Sequence, residues 1–179
     1  MFNVSLTFQK IYSILQLQKG KKGKVKMNRL IFDMDGTIAA LYNVKNWLPK
    51  LRAEDASPYA EAAPMWDMKR LAAAIRKAQS AGISFSVVSW LSKEPHKVFD
   101  HDTRVAKREW LDQFDFPSDE IHLVKYGTPK SRYRAPNERN VLIDDNAEVR
   151  AQFSKFNNCS AIDPAQVDIV EWLERLVAD

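Results

Sequence analysis

Leu30-Ile31-Phe32-Asp33-Met34-Asp35-Gly36-Thr37 sets an apolar, strand-favouring run directly before two acids, a glycine and a hydroxyl residue. Side chains alternate along a strand, so Asp33 and Asp35, separated by one residue, are expected to point the same way at its C-terminal end. Two carboxylates in one place repel and raise a pKa unless a cation neutralises them. A hard divalent metal with oxygen ligands is the natural occupant. Gly36 permits a tight turn, and Thr37 offers a hydroxyl and a backbone N–H to a phosphate oxygen. The bland alternative is a strand end with solvated acids ahead of a turn.

Three further pieces extend the pattern. Val141-Leu142-Ile143-Asp144-Asp145-Asn146 delivers two adjacent acids from a buried-strand run, a pattern suited to a metal ligand plus a partner that orients it. Ser86-Val87-Val88-Ser89 ends a β-rich run in a hydroxyl, placed where open sheets bind ligands. Between them, Val124-Lys125-Tyr126-Gly127-Thr128-Pro129-Lys130 carries two competing lysines, either of which would offset the charge of a nucleophile and of phosphoryl oxygens.

Strands are expected at Leu30 to Met34, Ile83 to Ser89, Glu120 to Val124, Val141 to Asp144 and Ser160 to Ile162, with helices between them. That alternation predicts a parallel sheet with crossover helices. Met65, Met68, Leu71, Ala72 and Ile75 recur at helical spacing up to Gly82. Asp102 or Thr103 is expected to cap a second helix, with Val105, Trp110, Leu111 and Phe114 turned inward. Pro164 is expected to begin a last one that buries Val167, Val170, Leu173 and Leu176.

The chain has 179 residues, 45% of them hydrophobic, enough for one domain with its own core. Its net charge of +4 is concentrated in residues 1 to 29, which hold seven lysines and arginines and no acid. Without those seven, 20 basic residues face 23 acidic ones, so the body is mildly acidic and gives no overall attraction to a polyanion. Residues 1 to 26 have charges after their apolar run, the reverse of a secretory signal. They read either as an amphipathic membrane-surface helix or, the reading adopted, as an extension outside a domain spanning 27–179. One cysteine, Cys159, makes no internal disulfide, which suits the cytoplasm. No apolar stretch is long enough for a spanning helix. His96, His101 and His122 lack zinc-site spacing.

Taken in order, the four pieces resemble the motifs of the haloacid dehalogenase-like (HAD) phosphatases over residues 30 to about 150. The resemblance implies a three-layer, Rossmann-like open parallel sheet with no or minimal cap. It implies Asp33 as nucleophile and Asp35 as general acid, then base. Mg²⁺ would be held by the Asp33 carboxylate, the Asp35 backbone carbonyl and Asp144, with Asp145 behind them. Thr37, Ser89 and Lys130 would bind phosphoryl oxygens, Lys130 being preferred because Lys125 should belong to the strand end. Haloalkanoate dehalogenases of similar fold lack an acid at the place of Asp35, so the resemblance points to phosphate esters.

The layout is similar to the 5'(3')-deoxyribonucleotidases and to the phosphatase domain of polynucleotide kinase-phosphatases. A nucleotide is therefore the expected substrate, a 3'-phosphorylated nucleic-acid end the alternative. A regulatory module without turnover is disfavoured because neither acid of the first motif is replaced. The gap from Ile38 to Met65, about 27 residues, is too short for a cap domain with its own core. A loop or helical flap carrying Trp47, Pro49, Pro58 and Tyr59 is expected. Trp47, Trp66 and Trp90 can each stack a base or belong to the core, and Lys93, Lys97 and Arg132 can line the approach or be solvated.

Overall fold

Five short runs rich in Val, Ile, Leu and Phe form β1 (Met27–Phe32), β2 (Ser84–Trp90), β3 (Glu120–Val124), β4 (Arg139–Ile143) and β5 (Cys159–Ile162). In the computed structural model, which describes residues 27–94 and 96–178, they make one parallel sheet in the order β3-β2-β1-β4-β5. The extension at 1–26 lies outside the described residues. The chain builds outward from β1 through β2 to β3, then returns to place β4 on the other side of β1. This reversal between β1 and β4 is the kind of place where open α/β sheets bind ligands, beyond the carboxyl ends of the strands.

Strand alternation divides the core in two. Leu30, Phe32, Phe85, Val87, Val141 and Ile143 join the larger cluster on one face, and Ile31, Val88 and Leu142 the smaller one on the other. The larger cluster is closed by α3 (Met68–Ser80), by Trp110 and Leu111 of α4 (Lys97–Gln113), and by α6 (Ile169–Leu176). On the opposite face, Val149 and Phe153 of α5 (Ala147–Phe153) pack on the sheet, with Tyr133 beside them. The result is the expected three-layer open parallel sheet.

Helix starts depart from the sequence reading, each for a local reason. α3 begins at Met68, capped by Asp67, whose side chain accepts from the Arg70 N–H. Met65 is exposed instead of core, because its N–H is tied to the Ile38 carbonyl in a bridge formed by Ala39 and Pro64. α4 starts at Lys97, well before Asp102 or Thr103, and its early turn buries Phe99. Val105 consequently faces outward, and Thr103 becomes a buried mid-helix residue. Residues 163–166 form a turn after β5, and the last helix waits for a better cap at Asp168, which accepts from the Glu171 N–H. α5, expected between β4 and β5 but given no bounds in the sequence reading, is a short helix capped by the Asn146 side chain.

Between β1 and α3 the chain forms a helical flap, with α1 (Trp47–Arg52) and α2 (Ser57–Glu61) in place of a cap domain. It is tied to α4, where the Trp110 indole donates to the Ala62 carbonyl at 2.7 Å. Pro58 and Tyr59 are buried in that contact.

Candidate active site

The Asp33 N–H donates to the Ile143 carbonyl at 2.9 Å, which holds the end of β1 against the end of β4. Asp33 and Asp144 thus leave adjacent strands at the switch point, both buried. Lys130 opens a 3-10 turn (Lys130–Tyr133) and reaches back with its ammonium 2.6 Å from Asp33 Oδ1 and 2.7 Å from Asp144 Oδ2. Burial works against its charge, but the two carboxylates outweigh that cost and hold its pKa above the ordinary lysine value. The Trp90 ring lies 5.4 Å from the same ammonium. Lys125 is exposed, so the structure brings Lys130, and not Lys125, to the acids.

Asp33, Asp144 and Asp145 present carboxylate oxygens that all lie within 4.8 Å of one another. Asp145, expected behind Asp33 and Asp144, has a carboxylate oxygen within that distance of theirs. Burial, then the neighbouring Asp33 and Asp144, push its carboxyl up to about 7. Asp144 is also raised, by burial and by Asp33, with Lys130 opposing. Three acids share one ammonium, and all the donors are hard oxygens, so this cluster fits Mg²⁺ by charge and by ligand type. Asp35 contributes no carboxylate oxygen to it.

Asp35 is held elsewhere because the chain turns directly after Met34. The Thr37, Ile38 and Ala39 N–H groups all donate to the Met34 carbonyl. Gly36 takes φ +74°, and a Cβ there would lie 2.5 Å from both Asp145 Oδ2 and Tyr42 Cε2. The turn carries the Asp35 carboxylate to Lys107 of α4, whose ammonium donates to Asp35 Oδ2 at 2.5 Å, to Ser89 Oγ at 2.7 Å and to the Trp90 carbonyl at 2.9 Å. Burial is the main influence that raises the Asp35 pKa, Lys107 opposes it, and Asp33 adds to it. Asp33 and Asp35 therefore share one cavity while answering to different lysines.

Lys107 escapes a reading that treats helical lysines as solvated. Its signal is its position: with Thr103, Trp110 and Leu111 it occupies one stripe of α4 at helical spacing, and all four are buried. Ser89 and Thr37 are fully buried, and Thr37 Oγ1 has no partner among the described residues.

A cavity of about 550 Å³ opens over the acids, within the range of small-molecule sites. Asp33, Asp35, Lys130, Asp144 and Asp145 form its floor, and Tyr42, Trp47, Trp90 and Tyr126 its aromatic walls. Trp66 is no part of it: its indole donates to the Thr37 carbonyl and its ring packs on the core. Lys93 lines the cavity, while Lys97 and Arg132, among the described residues, do not. No described helix is long and apolar enough to cross a membrane.

No family model and no curated protein sequence matches the chain. Among solved structures it is similar to a protein described as a HAD-like phosphatase (mll2559) from Mesorhizobium loti, at 17% identity and TM-score 0.47, covering 87% of this chain and 91% of that one. It is similar also to D,D-heptose 1,7-bisphosphate phosphatase from Burkholderia thailandensis, at 11% identity and TM-score 0.49, covering 82% and 98%.

Proposed function

We propose that the chain is a Mg²⁺-dependent phosphatase of the HAD superfamily that hydrolyses phosphate monoesters through an aspartyl-phosphate on Asp33. The observation that carries this reading is the floor of the cavity. Three clustered carboxylates stand beside a buried lysine, and a separately braced acid, Asp35, opens on the same space.

Lys130 pairs with one oxygen of Asp33, which holds the carboxylate read as the nucleophile in place. That carboxylate attacks phosphorus while Asp35 gives its proton to the departing oxygen, and the alcohol leaves. Asp35, now ionised, takes a proton from water as the water oxygen displaces phosphate from Asp33, restoring both acids. Lys130, Thr37 and Ser89 are read as partners of the phosphoryl oxygens. Asp33, Asp144 and Asp145 would hold Mg²⁺, with the Asp35 carbonyl as a further oxygen ligand expected from the resemblance. When bound, the ion supplies positive charge to phosphoryl oxygens whose own charge grows in the transition state.

A nucleotide is the proposed substrate, because Tyr42, Trp47, Trp90 and Tyr126 line the same cavity of about 550 Å³ as the acids, and that volume holds more than a phosphate. A cytoplasmic setting is proposed with it, from the single unpaired cysteine. Purified protein is to be screened with Mg²⁺ against a panel of phosphomonoesters that includes deoxyribonucleotides and 3'-phosphorylated oligonucleotides. Preferential release of phosphate from a mononucleotide is expected. Preference for the oligonucleotide would move the substrate to nucleic-acid ends, and no release from any ester would sink the phosphatase reading.

A further inference from the structure

Lys107 is the largest investment of buried charge that the reaction above does not use. It lies in the middle of α4 with no exposed surface, and a methionine of similar volume would fill the place with no ion to bury. An ammonium has three donors, and all three are spent: on Asp35 Oδ2, on Ser89 Oγ and on the Trp90 carbonyl. The Tyr59 ring of α2 covers it at 4.5 Å from the nitrogen. So enclosed, Lys107 has no N–H left for a phosphate oxygen, in contrast to Lys130 on the cavity floor.

We propose that Lys107 is the positioning residue for Asp35, holding its carboxyl group in the orientation from which it serves the leaving oxygen. The proposal rests on the phosphatase reading of the site. The Lys107 bond fixes Oδ2, while Oδ1 is itself buried and has no hydrogen-bond partner among the described residues, so this one contact sets where the group sits. Lys107 is itself immobilised at two other points, one on the β2 side chain and one on the β2 main chain, so the acid inherits the rigidity of the sheet. The same contact makes Ser89 Oγ an acceptor of the Lys107 ammonium.

A positioning role for the acid has a signature that loss of fold or of phosphate binding lacks. An alkyl phosphate needs its leaving oxygen protonated, whereas p-nitrophenyl phosphate expels a stable anion and needs little help. The comparison is of wild type, Lys107→Met and Asp35→Asn with both esters in Mg²⁺, read as kcat/KM, which reports formation of the aspartyl-phosphate. Lys107→Met is expected to lose about a hundredfold on the alkyl ester and no more than about tenfold on the nitrophenyl ester. Inhibition by inorganic phosphate should stay within about twofold of wild type. Adding Lys107→Met to Asp35→Asn should cost the alkyl ester little more, because both changes disable one unit.

Equal losses on the two esters, no loss on either, or independent losses in the double variant would overturn the role. If thermal unfolding reports that Lys107→Met does not fold, Lys107→Gln, which keeps two donors on an uncharged group, carries the same comparison and the same outcomes. A wild-type protein inactive on both esters would overturn the phosphatase reading, and this proposal with it. An active wild type with a flat leaving-group response would overturn this proposal alone.

Discussion

Asp33 and Asp35 stand two positions apart, yet each is paired with a different ammonium, and that separation lets equal side chains do unequal work. On the proposed mechanism, Asp33→Asn removes the nucleophile while keeping its shape, so turnover should fall to background. Asp35→Asn would keep that nucleophile but remove the proposed base that clears the intermediate. With labelled activated ester and acid quench, label is expected on Asp35→Asn protein and not on Asp33→Asn. Near-normal metal-dependent hydrolysis by Asp33→Asn would instead favour a metal-activated water.

Asp145 gives a second test at this scale. Its folded pKa, about 7, lies above its ordinary value of 3.8, so the folded protein holds that proton more tightly than the unfolded chain does. The stability linked to it is complete below about pH 4 and is lost as pH rises through about 7, where the ionised group opposes folding. Metal-free Asp145→Asn should therefore melt higher than wild type at about pH 8 and gain less from added Mg²⁺, both readable in thermal scans. A lower melting temperature for the metal-free variant would contradict the repulsion described. The acids were legible in the sequence because alternation and turn chemistry announce them. Lys107 was not, because a lysine inside a helix is assumed solvated unless the whole inward stripe is traced.

The elements divide in the same way. Four strands were legible to within one or two residues and β1 to within three, starting at Met27 where Leu30 was expected, since buried parallel strands are continuous apolar runs bounded by turn residues. Helix starts were not, because several capping residues precede each apolar stripe and tertiary contacts choose among them: Asp67 over Met65, and Asp168 over Pro164. α5 was expected but left without bounds, because its seven residues are too few to establish a period. It nonetheless anchors the motif, for Asn146 caps it through Glu148 and Val149 while the Asn146 N–H donates to Asp144 Oδ1 at 2.8 Å. Asn146→Ala should cost about 1 kcal/mol through the lost cap. A lower urea midpoint at unchanged slope is the expected reading, and an unchanged midpoint would show that the cap contributes nothing.

For the molecule as a whole, the strand order places β1, which leads into Asp33, between β2, which carries Ser89, and β4, which leads into Asp144, so the pieces read separately in the sequence meet at one end of the sheet. The cavity walls were less legible, because whether a tryptophan faces a ligand or a core depends on neighbours distant in sequence: Trp66 packs inward, whereas Trp47 and Trp90 line the opening. The proposed domain boundary at Met27 is tested by deletion. Protein starting at Met27 should keep the melting temperature and turnover of the full chain, and a large fall in either would show that residues 1–26 belong to the working unit.

Gly36 makes no claim on phosphate, yet the room for Asp145 and Tyr42 is the absence of its side chain. That absence has a consequence for how the protein can drift. Every single-base change in a glycine codon that alters the residue introduces a β-carbon or stops the chain, so no one-step neighbour keeps both the turn and the acid cluster. Position 36 is then a closed door in sequence space. A randomised library selected for turnover should return glycine there almost alone, while exposed positions of the flap accept many residues. Recovery of alanine or serine at 36 with full activity would mean that the turn and its two neighbours yield more readily than their spacing implies.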